Sequence, residues 1–233
     1  VIPGSVADNV RFLAGKVSEV GLCFFETEAC LGYGEGDLPG DLADLPLRWH
    51  VHLPLDLPWA AGGGAAADAA LRLMDKVDFL GCRRAVLHLP EGLAGVVDAP
   101  AGAVKAWDEF VACWQASGRA SRDILLENQP GDAPGALLRL AEEHDAGLCL
   151  DFSHWLLTQG ADFFPEPEFL RRVSLLHLNA PGAAGGGHGG LDELSPAERA
   201  WAAQTLKKAL ACQSPLGGPS EPPLFMLEIF SWD

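Results

Sequence analysis

Short apolar segments alternate with longer helical segments along most of the chain. The seven apolar segments are EVGLCFFE (19–26), LRWHVHLP (47–54), RAVLHLP (84–90), DILLENQP (123–130), GLCLDFSH (147–154), VSLLHLN (173–179) and LFMLEIF (224–230). Most of them are apolar at successive positions, which indicates strands that are covered on both faces. The repeated order of strand, helix and strand therefore predicts an α/β protein built on a parallel sheet.

The segments between these strands have the composition of helices. They are Val6–Lys16, Ala65–Leu80, Ala103–Ser117, Pro134–His144, Pro165–Arg172 and Pro196–Ala211. At the start of the last segment, Ser195 has the place of an N-cap, Pro196 occupies the first helical position and Glu198 completes a capping box. This segment therefore has the best-defined start of the six.

Seven strands are one fewer than a (β/α)8 TIM barrel requires. The N-terminal residues VIPGSV place two β-branched residues and a Pro-Gly pair before a helix, which is typical of the end of a strand. Three residues follow the last apolar segment, too few for a closing helix. We therefore predict one domain over residues 1–233 with the TIM-barrel fold, trimmed at its first strand and last helix.

Charge and composition limit the classes of partner. The chain has 16 lysines and arginines against 32 aspartates and glutamates, a formal net charge of −16. Such a chain repels phosphate backbones, so we expect no nucleic-acid partner. It contains no run of 18 apolar residues, so we expect no membrane span. The six cysteines form no CxxC pair, which favours a reducing, cytoplasmic location. Composition leaves the oligomeric state open.

Residue types that bind metals lie at the ends of most predicted strands. They are His50, His52, His88, Glu127, Asp151, His154, His177 and Glu228, and a glycine-rich loop after the sixth strand adds His188. In a parallel barrel the C-terminal ends of all strands meet at one mouth, so we expect these side chains to converge. Carboxylates and imidazoles that are buried together are costly unless a cation satisfies them. This donor set suits zinc, manganese or iron.

Each of these residues taken alone has a structural explanation. A strand histidine is commonly a hydrogen-bonded core residue, Asp151 is suited to cap a helix that begins near Ser153, and Glu228 is suited to a buried salt bridge. Together these explanations lose force, because each residue would need its own partner in the same place. His50 and His52 are two residues apart and point to the same face, so we expect one to be a ligand and the other to support it or contact substrate.

The strand ends resemble those of AP endonuclease family 2, the xylose-isomerase-like TIM barrels that include endonuclease IV. The matching segments are LLENQPG with Glu127, DFSH with Asp151 and His154, HLNA with His177, and the LE pair with Glu228. Single histidines at the ends of two earlier strands correspond to His50 and His88. The resemblance implies two divalent ions held by His50, His88, Glu127, Asp151, His177 and Glu228, with Glu127 as the bridging ligand.

Within this superfamily, the segments VIPGSVADNVRFLAGKVSEVGLCFFETEA, HVHLPLDLPW and ENQPG are most similar to the cobamide-remodelling phosphodiesterases. That resemblance implies a small-molecule corrinoid substrate. The reaction would hydrolyse the nucleotide-loop phosphodiester of adenosylcobamides to adenosylcobinamide phosphate and the lower-ligand nucleoside. Two ions about 3.5–4 Å apart would clamp the phosphate and activate a water. The predicted catalytic residues are Glu127, His154 and His188, the last two also being candidate ligands of a further metal; the predicted substrate-binding residues are His52, Glu26, Glu28 and Trp59.

Three alternatives stay open. A metal-dependent sugar isomerase or epimerase would need one ion at Glu127, Asp151, His177 and Glu228, with two carboxylates that move a proton. A DNA-repair endonuclease is disfavoured by the charge of −16 and by Gly186, which takes the place of an aspartate of endonuclease IV that helps to hold a third metal. A noncatalytic corrinoid-binding module would keep the site without the chemistry.

Overall fold

A computed structural model of the chain describes residues 3–95, 99–182, 188–212 and 223–228. These residues form two compact units. The first contains residues 3–90 and 101–123, and the second contains residues 91–95, 99–100, 124–182, 188–212 and 223–228. In the part of the chain that is described, no helix is both long enough and apolar enough to cross a membrane.

The first unit is a parallel sheet with helices between its strands. Its elements are α1 (Val6–Leu13), β1 (Glu19–Cys23), α2 (Thr27–Leu31), β2 (Arg48–His52), α3 (Gly63–Lys76), β3 (Arg84–Leu87) and α4 (Ala101–Ala116). The strands lie in the order β1-β2-β3, with Cys23 opposite His52 and His52 opposite Val86. The carboxyl ends of the three strands therefore lie at the same edge of the sheet.

Helices α3 and α4 pack closely because small residues form their contact. Ala66, Ala67 and Ala70 on α3 are buried. Gly63 begins α3, and a Cβ at this position would collide with the backbone carbonyl of Ala106 on α4. Only glycine allows this approach, so the first residue of α3 has to be glycine.

The second unit repeats the arrangement and carries most of the predicted ligands. Its elements are β4 (Ile124–Glu127), α5 (Pro134–Glu143), β5 (Gly147–Asp151), α6 (Phe152–Thr158), α7 (Pro167–Arg172), β6 (Val173–Leu178), β7 (Ala180–Pro181), β8 (His188–Gly189), α8 (Pro196–Ala211) and β9 (Leu224–Leu227). Four strands form a parallel sheet in the order β4-β5-β6-β9. The short strands β7 and β8 form a separate antiparallel pair.

The strands and helices of the second unit enclose an apolar core. Every residue of β4 and β5 is buried. Trp201 of α8 meets Phe152 edge-on, with 4.9 Å between the ring centroids, and it also stacks on Trp155. The indole nitrogens of Trp201 and Trp155 both donate to the carbonyl oxygen of Phe163, at 2.8 and 3.0 Å. This shared acceptor connects α6 and α8 to the loop that follows α6.

Each of the seven predicted strands is present, but each ends one to three residues earlier than predicted. The short helix α2 was not predicted, whereas the short helix α6 is the one that Asp151 was suited to cap. Helix α6 begins directly after β5, because Oδ1 of Asp151 accepts a hydrogen bond from the backbone nitrogen of His154 and so caps the helix. The predicted strand ends at residues 1–2 and 229–230 lie outside the described residues.

Helix α8 has the predicted boundaries, and its cap provides a first test. The hydroxyl of Ser195 accepts from the backbone nitrogen of Glu198, while the carboxylate of Glu198 accepts from the backbone nitrogen of Ser195 at 2.7 Å. We expect Ser195→Ala to lower the free energy of unfolding by about 1 kcal/mol, because the orphan donor loses its acceptor. Urea denaturation measures the change. The exposed Ser18 is the matched control, and an equal loss in Ser18→Ala would contradict the assignment.

Candidate metal centre

Four strands of the second unit bring four ligand-type side chains to one place. Glu127 ends β4, Asp151 ends β5, His177 is near the end of β6, and Glu228 follows β9. Asp151 and His177 are paired in register, so the parallel strands present them side by side. One donor atom from each of the four residues lies within 4.8 Å of the donor atoms of the others. All four side chains are at most 5% exposed.

His177 lies between three carboxylates. Its Nδ1 atom is 2.8 Å from Oε2 of Glu228, 3.1 Å from Oε1 of Glu127 and 3.7 Å from Oδ2 of Asp151. A single imidazolium carries one positive charge, whereas three carboxylates carry three negative charges. Burying this excess of negative charge is expensive unless a further cation joins the cluster.

The donor chemistry fits a divalent cation. Oε2 of Glu228 is buried, and its contacts with the described residues lack the geometry of a hydrogen bond. An acceptor of this kind in a protein interior is rare and costly. Three carboxylates and one imidazole are donors that manganese, iron and zinc accept. We therefore take Glu127, Asp151, His177 and Glu228 as the set that would hold the ion.

The same contacts change the pKa values of the cluster. Burial alone would lower the pKa of His177, but Cys149, Glu127 and Asp151 together raise it well above its usual range. Burial raises the pKa of the Cys149 thiol to about 12, so this thiol is neutral near pH 7; it acts on His177 as a hydrogen-bond partner, and the negative charge comes from the carboxylates. Burial opposes ionisation of Glu228, but contacts with His177 and His188 outweigh it and lower the pKa of that carboxyl group.

Two asparagines hold Asp151 in position. Nδ2 of Asn179 donates to Oδ2 of Asp151 at 2.6 Å, and the hydroxyl of Ser153 donates to Oδ1 at 2.9 Å. The side chain of Asn128 makes two hydrogen bonds to the backbone of Asp151: its amide nitrogen donates to the carbonyl oxygen, and its amide oxygen accepts from the backbone nitrogen. Neither Asn128 nor Asn179 was among the predicted site residues. The available signal was that each directly follows a strand residue, Glu127 or Leu178, at the carboxyl edge of the sheet.

A second group of donors adjoins the first and shares Asp151 with it. Asp151, His154 and His188 also have donor atoms within 4.8 Å of one another. Nδ1 of His188 is 3.5 Å from Oδ2 of Asp151, and Nδ1 of His154 is 3.6 Å from Oδ1. His154 Nδ1 also lies 2.9 Å from the carbonyl oxygen of Asn128. A carbonyl only accepts, so this contact places the proton on Nδ1 and leaves Nε2 as the ligand atom.

In the first unit, His52 and not His50 lies beside His88. The rings of His52 and His88 meet edge-on with 5.1 Å between centroids. Nδ1 of His52 is 2.9 Å from the carbonyl oxygen of Leu53, which leaves Nε2 of His52 as its possible ligand atom. His50 instead places Nδ1 2.8 Å from Oε1 of Glu19, at the start of β1. We therefore assign the ligand role proposed for His50 to His52, and a supporting role to His50.

The three other predicted substrate contacts have simpler surroundings. Glu26 and Glu28 are exposed, Glu26 at the start of α2 and Glu28 in its first turn. Trp59 is half-buried, and its ring packs on Phe110 of α4 with 5.1 Å between centroids. Packing on Phe110 is enough to explain why a tryptophan occupies position 59, so its contact with substrate stays a prediction.

The raised pKa of His177 predicts that metal binding releases a proton. The metal-free imidazole is protonated near pH 7, whereas a ligand must be neutral, so apparent metal affinity should rise with pH until the folded-state pKa is passed. The stability that the protonated imidazole contributes to the metal-free protein is lost over the same rise in pH. Manganese titration calorimetry in two buffers of different ionisation enthalpy measures the proton count. His144→Asn, at the end of α5, should leave it unchanged; tight binding without proton release would contradict the prediction.

Comparisons with known proteins show the fold of the chain. No family model and no curated protein matches the sequence. The structure is similar to a probable 3-DHS dehydratase of petrobactin synthesis from Bacillus anthracis, with 16% identity, 100% of this chain and 90% of the other covered, and a TM-score of 0.62. It is also similar to the 3-keto-D-glucoside 4-epimerase of E. coli, with 12% identity, 100% of this chain and 90% of the other covered, and a TM-score of 0.59. A third similar structure is the D-allulose 3-epimerase of a Methylomonas species, with 17% identity, 93% of this chain and 85% of the other covered, and a TM-score of 0.52. The chain thus has the TIM-barrel fold, as predicted.

Proposed function

We propose that the chain is a metal-dependent isomerase or epimerase that moves a proton at a carbon beside the carbonyl group of a sugar or sugar phosphate. The observation that carries this proposal is the four-residue set of Glu127, Asp151, His177 and Glu228. This set would hold one divalent ion, and it contains two glutamates, Glu127 at the end of β4 and Glu228 directly after β9. A carbonyl substrate that binds this ion would therefore have a carboxylate from each of two strands near its reacting carbon.

The two glutamates have complementary tasks in such a reaction. An ion held by the four-residue set would supply Lewis-acid chemistry, which would polarise the substrate carbonyl and so acidify the neighbouring C–H bond. One carboxylate, Glu127 or Glu228, takes the proton as the C–H bond breaks, and the electron pair of that bond moves toward the carbonyl oxygen. The other returns a proton to carbon, on the opposite face in an epimerase. The product thus gains one proton in place of the one that the substrate lost, and no oxidant is needed.

Two further observations support this chemistry. Hydrogen bonds from Asn179 and Ser153 fix Asp151, which in this reaction is a candidate ligand and takes no part in proton transfer. Two of the structurally similar proteins are named as epimerases of a keto-glucoside and of allulose. At 12% and 17% identity these likenesses show the fold alone, so the names of the two proteins suggest the class of reaction for this proposal and leave the particular sugar undefined.

A deuterium-exchange assay tests the proposal, and it does not require the identity of the sugar. The manganese-loaded protein is incubated in D₂O with a panel of ketoses, aldoses and their phosphates, and mass spectrometry follows deuterium on carbon. We expect incorporation at the carbon beside the carbonyl of at least one substrate, with loss of incorporation after chelation. Exchange that Glu228→Gln leaves unchanged would contradict the assignment of the carboxylates. Glu143→Gln, an exposed change on α5, is the control.

A second candidate function is the hydrolysis of the nucleotide-loop phosphodiester of adenosylcobamides. The observation that favours it is the second donor group of Asp151, His154 and His188, which shares Asp151 with the first set and offers a place for a second ion. Two ions that share a carboxylate suit phosphodiester cleavage. The metal-loaded protein is incubated with adenosylcobalamin, and the products are identified by mass. Adenosylcobinamide phosphate would establish this function; intact cobalamin with zinc, manganese and iron would exclude it.

A further inference from the structure

We infer that Cys149, together with Glu127 and His177, forms a second metal position that takes thiophilic ions such as zinc or cadmium. This position lies next to the four-residue set and has two ligands in common with it. The inference concerns which ions the protein binds and where they bind, and it does not depend on the substrate.

The strand register places Cys149 beneath the candidate centre. Cys149 lies on β5 directly opposite Glu127 of β4. It is two residues before Asp151 on the same strand, so both side chains point to the same face of the sheet. Cys149 is fully buried. The thiol therefore lies one layer deeper than Asp151, on the side where the cluster is.

Three different donor atoms converge at this depth. The sulfur of Cys149, a carboxylate oxygen of Glu127 and an imidazole nitrogen of His177 all lie within 4.8 Å of one another. The imidazole of His177 is also 2.8 Å from Oε2 of Glu228, the buried oxygen that lacks a hydrogen bond among the described residues. A small inward movement of these side chains gives three of the four ligands of a tetrahedral ion, and a water supplies the fourth.

The two positions differ in the kind of ion they favour. The four-residue set offers three carboxylates and one imidazole, donors that suit harder ions such as manganese. The deeper group replaces two of the carboxylates with a thiolate, which suits zinc and cadmium. Both positions use Glu127 and His177, so an ion in one position prevents a second ion from binding in the other. The identity of the ion therefore decides at which depth it binds.

Binding at the deeper position converts the thiol of Cys149 to a thiolate. The S–H bond breaks, its electron pair forms the bond to the metal, and the proton leaves to solvent. No oxidation or reduction takes place. The buried Cys82 in the first unit provides a contrast, because it belongs to none of the donor groups found among the described residues.

X-ray absorption at the metal edge tests the inference. Protein loaded with one equivalent of zinc should show one sulfur neighbour at about 2.3 Å, whereas manganese-loaded protein should show oxygen and nitrogen neighbours only. The sulfur neighbour should disappear in Cys149→Ser and persist in Cys82→Ser. Its absence from zinc-loaded wild-type protein, or its survival in Cys149→Ser, would overturn the inference.

A second variant keeps the test decisive if Cys149→Ser does not fold. Cys23, Cys113 and Cys212 are half-buried, and their combined replacement by serine removes the more accessible thiols. This variant should keep the zinc–sulfur neighbour, and its loss would assign the sulfur to one of those thiols and overturn the inference. The outcome is separate from the proposed reaction: a protein without exchange activity can still show the sulfur neighbour, and an active one can lack it.

Discussion

Glu127→Gln should lower the rate of deuterium exchange by a factor of about 10²–10⁴, which is the range for the loss of a general acid or base. Glutamine keeps the size of the side chain but cannot take a proton, and it is a weaker ligand than a carboxylate. Because Glu127 is 1% exposed, water cannot easily replace the lost group. Steady-state exchange and metal content of the dialysed protein together measure the effect.

The control for this variant is Glu142→Gln, an exposed change on α5. It removes the same charge from the same unit and should leave rate and metal content unchanged. A Glu127→Gln protein that keeps both its metal and its exchange rate would contradict the role of Glu127 in either candidate function. Retained metal with a lost rate would assign Glu127 to proton transfer alone.

Trp201→Ala should lower the free energy of unfolding by about 3–5 kcal/mol, the usual cost of removing a large buried aromatic side chain. Trp201 is 1% exposed and packs on Phe152 and Trp155. The substitution leaves a cavity and removes one of the two donors to the carbonyl of Phe163. Denaturant unfolding followed by circular dichroism measures the loss.

Phe163→Ala is the matched control for this loss. Its ring is 64% exposed, and its carbonyl oxygen, the acceptor for both indoles, remains in the variant. We expect a loss below about 1 kcal/mol. If both variants lose the same amount, the stability of this region comes from the loop and not from the packing of the tryptophans.

The order of strands and the main ligand set could be predicted because both have local signals. An apolar run such as residues 147–150 indicates a buried strand, and a polar residue directly after it lies at the carboxyl edge of a parallel sheet. Glu127, Asp151 and His177 all follow this rule. These residues were predicted from their type and their position at strand ends, and the structure brings their donor atoms within 4.8 Å of one another.

The details that could not be predicted depend on contacts between distant residues. His50 and His52 have the same local environment in sequence, and only the structure shows that His50 contacts Glu19 on β1 whereas His52 lies beside His88. The supporting contact of Asn128 is a hydrogen bond to the backbone carbonyl of Asp151, which is 23 residues away in the sequence. Residues 152–154 of α6 were predicted as strand because Phe152 continues an apolar run, whereas the carboxylate of Asp151 caps the helix, the alternative that the sequence had left open.

The antiparallel pair β7–β8 makes the position of His188 independent of the length of the segment before it. Ala180 pairs with Gly189 and Pro181 with His188, so His188 is fixed by its register to the chain that leaves β6. Doubling the length of a connection costs only about 0.6 kcal/mol in closure entropy. Insertions between positions 182 and 188 should thus be tolerated in evolution and in engineering without a change in the position of His188.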